Sequence, residues 1–181
     1  LSTPAHPASA AAIRNMDTFR MSNLPFAGEN AASRAPMQAQ RAVRKATLTD
    51  LPMLMAMGRT FHAYAYSDLG PLDESAGEQF LRALIASPRG VVLTNGTGAV
   101  GGLLIPVWFQ PKTRVLEECF WWSSATGGRE LLSELIEFGR KNGAAGVVLS
   151  TIENGRQVAV DRAVRRMGFT PHERKYLLKL V

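Results

Sequence analysis

Arg114-Val115-Leu116-Glu117-Glu118-Cys119-Phe120-Trp121-Trp122-Ser123-Ser124-Ala125-Thr126-Gly127-Gly128 is the stretch from which the rest of the chain is best read. The density of apolar and aromatic side chains over 114–123 suits a central strand. The Ser/Thr/Gly run breaks that pattern, and Leu131, Leu132, Leu135, Ile136 and Phe138 then recur at helical spacing, with Gly143 as the expected stop. A helix therefore begins directly after a central strand. Its first backbone N–H groups lack intrahelical acceptors and carry the positive end of the helix dipole, which makes an anion site. Within the strand, Glu117 and Glu118 point to opposite faces, so at least one carboxylate is buried, paired or turned into a cleft.

Working outward, Gly90–Thr94 and 99–109 read as strands joined by the turn Asn95-Gly96-Thr97-Gly98, and Gln110-Pro111-Lys112-Thr113 is expected to turn the chain into 114–123. Ahead of them come a short strand at 42–46 and two helices. The first is capped by Thr49 or Asp50 with Pro52 in its first turn, and the second runs from Asp73-Glu74-Ser75 to Ser87-Pro88. After the central helix, 146–152 is Val-rich enough for a buried strand. A helix over 157–167 ends at Gly168-Phe169, and 174–181 alternates as a last strand. Antiparallel strands followed by strand–helix–strand units imply an α/β (α+β) domain, with a mixed, mostly antiparallel central sheet and helices on both faces.

Residues 1–41 are rich in Ala, Ser, Pro, Asn and Gln without a sustained apolar period, so they read as a mobile or disordered extension before a domain at 42–181. The 181 residues are 46% apolar and 20% charged, as expected of a globular protein. Net charge is +6, and from Arg156 onward seven basic residues face two acidic ones. That tail suits a solvated basic face or a phosphate-bearing partner. Nucleic-acid binding through Arg162, Arg165 and Arg166 would rest on charge alone, because exposed aromatics are not interleaved with them. Cys119 is the one cysteine, so no internal disulfide is available, and it reads as a buried inert thiol in a reducing compartment. No stretch reads as a signal peptide or membrane span, and a cytoplasmic protein is expected. The sequence lacks HExxH, paired CxxC, GxSxG and Walker motifs, so no metal is expected.

The element order, the glycine-led helix after the central strand and Arg165-Arg166-Met167-Gly168-Phe169 together resemble the Gcn5-related N-acetyltransferase family over about 42–181. The resemblance implies acetyl-CoA as co-substrate and an amine acceptor. It puts the cofactor at Trp122, Ser123, Ser124, Ala125, Thr126, Gly127, Gly128, Arg129 and Asn154, in a slot left where 146–152 splays away from 114–123. Against the family's loop signature, Ser123 stands for Gln or Arg and Thr126 for the first Gly. Val164 stands where a tyrosine general acid is common. Glu118 and then Glu117 are the candidate general bases, since an amine must lose its proton before attack. His62, Tyr64, Tyr66 and Asp68 are expected near the acceptor. Paired tryptophans before the loop also resemble acetyltransferase-like proteins of phages. The alternative is a non-catalytic module of the same fold that binds acyl-CoA or a macromolecular partner. A monomer or homodimer is expected in either case.

Overall fold

The computed structural model describes residues 21–22, 42–124, 126–151 and 157–173. Its strands are β1 (Met21–Ser22), β2 (Arg44–Lys45), β3 (Gly90–Thr94), β4 (Gly98–Val107), β5 (Gln110–Ser123) and β6 (Val147–Val148). Its α-helices are α1 (Leu51–Ala65), α2 (Glu74–Ala86), α3 (Gly128–Lys141) and α4 (Gln157–Arg166). The sheet runs β1-β5-β4-β3-β2, with β6 also on β5. The pairs β2–β3, β3–β4 and β4–β5 are antiparallel, whereas β1 and β6 lie parallel to β5.

The period of two along the strands divides the interior into two cores. On one face, Leu51, Leu54, Met55 and Phe61 of α1 and Leu81 and Leu84 of α2 pack against Val92, Ala99, Phe120 and Trp122. On the other, Leu131, Leu132 and Leu135 of α3 and Val160 and Val164 of α4 pack against Val91, Val100, Leu116 and Trp121. The three α3 leucines are fully buried, each contributing about 1.5–3 kcal/mol by removal from water. Arg59 of α1 forms two 2.8 Å hydrogen bonds to Glu74, tying α1 to the start of α2.

In β5 the register against β4 shifts twice, once beside the hairpin between Pro106 and Val107 and once in mid-strand. Gly101 pairs with Phe120 and Gly102 with Glu118, leaving Cys119 as the extra residue of a bulge. Gly101 makes this possible, because a Cβ there would collide with the Phe120 ring. Cys119 and Phe120 consequently both face the α1–α2 core.

Three sequence expectations are corrected. The β4–β5 hairpin turns at Trp108-Phe109, and Val107 pairs with Gln110, so 110–113 belongs to β5. Aromatic residues suggested strand, yet these two rings stack edge-to-face at 5.0 Å and are 89% and 62% exposed at the tip. Asp50 does not cap α1 through its side chain. Its carboxylate instead accepts from Arg44 Nη1 and Nη2 and from the Thr47 N–H, closing a short 3₁₀ turn. The Arg44 guanidinium holds the Asp50 carboxyl well below the usual carboxylate range. Finally, of the expected buried strand at 146–152, the described residues join the ladder only at Val147–Val148, both half-buried. The expected last strand at 174–181 lies outside the described residues.

Candidate active site: a split strand edge beside a helix N-terminus

The outer edge of β5 is divided. Leu116 and Glu117 pair with Val147 and Val148 of β6, and the Leu116 N–H donates to the Gly146 carbonyl at 2.9 Å. At the next residue the pattern changes. The Ser150 N–H donates to Glu118 Oε2 at 3.1 Å, so a side chain stands where a ladder partner would be. Glu118 is 1% exposed and occupies the point at which β5 and the β6 segment part. Alternation puts Glu117, half-buried, on the opposite face.

Past the parting point, β5 leads through Ser123 to α3. Gly127 takes up a left-handed backbone (φ 110°) as the N-cap, and among the described residues no side chain caps the helix. An L side chain would strain that conformation, which explains the glycine. The Leu131 N–H closes the first turn on the Gly127 carbonyl at 3.1 Å, while the Trp121 indole Nε1–H donates to the Gly128 carbonyl at 3.0 Å. This bond joins β5 directly to the first turn of α3. The start of α3 is thus fixed from below with its N-terminal end uncapped, the arrangement that receives an anion. Arg129 is exposed in the first turn.

Neither a protein-family model nor a curated relative matches the sequence. Solved structures do match in shape. An acetyltransferase from Trypanosoma brucei is 18% identical at TM-score 0.57, over 76% of this chain and 98% of that one. A protein from Clostridium acetobutylicum, described as a predicted acetyltransferase and solved with acetyl-CoA, is 16% identical at TM-score 0.57, over 76% and 95%. An aminoglycoside acetyltransferase from an uncultured soil metagenomic sample is 14% identical at TM-score 0.56, over 77% and 97%. The chain has the Gcn5-related acetyltransferase fold.

Within this acetyltransferase fold the residues singled out in the sequence occupy unlike environments. Thr126, Gly127, Gly128 and Arg129 lie together at the start of α3. Trp122 is 7% exposed and meets Phe61 edge-to-face at 5.6 Å, which makes it a core ring of the α1–α2 face. Ser123 is fully buried. Ser124 gives both its hydroxyl (2.9 Å) and its N–H (3.1 Å) to the Thr97 carbonyl, tying the loop to the β3–β4 turn. In that turn the Asn95 side-chain oxygen accepts from the Thr97 and Gly98 N–H groups. Ala125 and Asn154 lie outside the described residues.

Val164 is 6% exposed within the α3–α4 core. Tyr66 contacts Phe61 edge-to-face, and Tyr64 is 43% exposed on α1. Asp68 sits in the following 3₁₀ turn. The Ser150 N–H, the Thr97 carbonyl and the Trp121–Gly128 bond were missed by sequence reading. Two of these are backbone groups, which carry no residue-type signal, and the third depends on which way one ring of a Trp pair turns. Among the described residues no cluster of His, Cys, Asp and Glu suits a metal ion, and no helix is long and apolar enough to cross a membrane.

Proposed function

We propose that this protein is an N-acetyltransferase, moving an acetyl group from acetyl-CoA to an amine. The observation that carries this reading is the split β5 edge at Glu118 standing beside the uncapped start of α3. Bound acetyl-CoA supplies an activated thioester. The fit rests on matching donors: the N–H groups at Gly128 and Arg129 face an anionic pyrophosphate, and the β5 edge beyond Glu118 offers peptide groups to an amide-bearing arm. Gly127 lets the backbone approach closely, while Thr126 and Arg129 add a hydroxyl and a charge. Trp122, Ser123 and Ser124 shape this site as wall and anchor. Ala125 and Asn154 belong to it through the family resemblance.

Glu118 is the base in this reading. Its burial requires a water relay to carry the ammonium proton from the acceptor. Glu117, on the other face, is the second candidate. Once neutral, the amine forms its bond to the acetyl carbonyl, the carbon–sulfur bond breaks, and the thiolate takes a proton from solvent, since Val164 offers none. Residues 42–181 form the catalytic unit behind the 1–41 extension, as a monomer or homodimer in the cytoplasm.

One specific feature favours a second reading, a non-catalytic acyl-CoA-binding module. Val164 is buried in the core where a tyrosine acid is common in the family. Thermal unfolding with acetyl-CoA tests binding first. Ligand at a hundred times its dissociation constant stabilises by about 2.7 kcal/mol, and an unmoved midpoint at millimolar cofactor sinks both readings. Release of CoA thiol in the presence of amines then separates transferase from binder.

A further inference from the structure

Beyond the parting point at Glu118, the β5 edge is taken up by the chain itself. Met21 pairs with Phe120 and Ser22 with Trp121, parallel to β5 and on the same side as β6. β1 also lies against α1. From Leu116 to Trp121, one edge of β5 is therefore served by two different segments, with Glu118 and Ser150 at the junction.

An edge strand whose neighbour has turned away is a ready template for an added strand, with main-chain hydrogen bonds supplying affinity. The occupant here is covalently attached, so its effective concentration is on the order of millimolar, without requiring tight intrinsic pairing. The stretch of β5 that β1 covers is the one the proposed function assigns to the cofactor's amide-bearing arm. Two occupants cannot hydrogen-bond to the same N–H and C=O groups at once.

We infer that Met21–Ser22 is an internal competitor: it closes the β5 edge at Phe120–Trp121 in the resting chain and must leave before acetyl-CoA binds. The cofactor half of this inference rests on the proposed function. The pairing half does not. Competition lowers apparent affinity by the fraction of molecules in which the edge is vacant.

The test uses the full chain and the double variant Met21→Pro/Ser22→Pro, which removes both backbone donors and disfavours strand pairing. Amide hydrogen exchange over Phe120–Trp122 reads the pairing without any ligand. Titration with acetyl-CoA reads the competition. The expected result is exchange about tenfold faster in the variant, together with acetyl-CoA binding at least about threefold tighter than to the unaltered chain. Unchanged exchange overturns the pairing, whatever the cofactor does. Faster exchange with equal affinity overturns the competition. Faster exchange with no acetyl-CoA bound by either chain overturns the proposed function, and the competition with it, while leaving the pairing intact.

Discussion

The two edges of β5 follow opposite rules. Towards β4 the ladder runs from Gln110 to Ser123 and resumes after each of two register shifts, the second of which leaves out Cys119 over a glycine. Towards the other side, β6 pairs at two positions and departs, Glu118 meets Ser150, and β1 takes over. The first edge builds the fold, and the second leaves backbone groups that a ligand or the chain itself can claim. A strand in the middle of a sheet can thus keep one partner along one side and change partners along the other.

The largest effect is expected where β5 meets α3. Trp121→Ala removes a 3% exposed ring and the indole bond to the Gly128 carbonyl, at a cost of about 3–5 kcal/mol in urea unfolding. A loss under about 1 kcal/mol would mean that β5 does not hold the helix start. At the parting point, Glu118→Gln keeps an acceptor for the Ser150 N–H, so stability changes by less than about 1 kcal/mol. Turnover, followed as CoA thiol release, falls by about 10²–10⁴ if Glu118 is the base. Glu118→Leu leaves the Ser150 N–H without its acceptor and costs about 1–3 kcal/mol. Equal turnover in Glu118→Gln and the parent would move the base to Glu117 or to water.

At the opposite rim of the sheet, side chains secure the edge strand. Asp50→Asn weakens the Arg44–Asp50–Thr47 cluster by about 1 kcal/mol. Arg44 depresses the folded-state pKa of Asp50, so the contribution is present above the ordinary carboxylate pKa of about 4 and is lost as pH falls below it. The variant's stability should therefore depend less on pH in the acid range, and parallel pH profiles would contradict the assignment. The smallest effect belongs to the hairpin tip. Trp108→Ser, at an 89% exposed position, should stay within about 0.5 kcal/mol of the parent.

Much of the fold was legible because its signals are local. Gly90–Thr94 carries its strand pattern up to a turn closed by Asn95, and Asp73 caps α2 by accepting from the Ala76 N–H. The stripe of leucines on α3 went to the core as its spacing implied. The errors came where exposure and long-range geometry decide. Trp108 and Phe109 look like strand residues until the hairpin register puts them in solvent. The Val-rich run after Gly146 looks buried, but among its described residues only two join the ladder. Of the candidate site, the glycine-led helix start and the burial of one of the two carboxylates were legible in the sequence. The engagement of Glu118 with a backbone N–H thirty-two residues away leaves no trace in the spacing of side chains. The pairing of Met21–Ser22 with β5 was equally hidden, in a segment whose composition shows no strand period.

The most direct test of the divided edge is amide hydrogen exchange along β5 and the start of α3, with and without millimolar acetyl-CoA. The account predicts added protection at Gly128–Glu130, with Phe120–Trp121 staying protected as acetyl-CoA replaces β1 and the β4 amides that face β3 unchanged. Protection spread evenly over the sheet, or none at Gly128–Glu130, would contradict it.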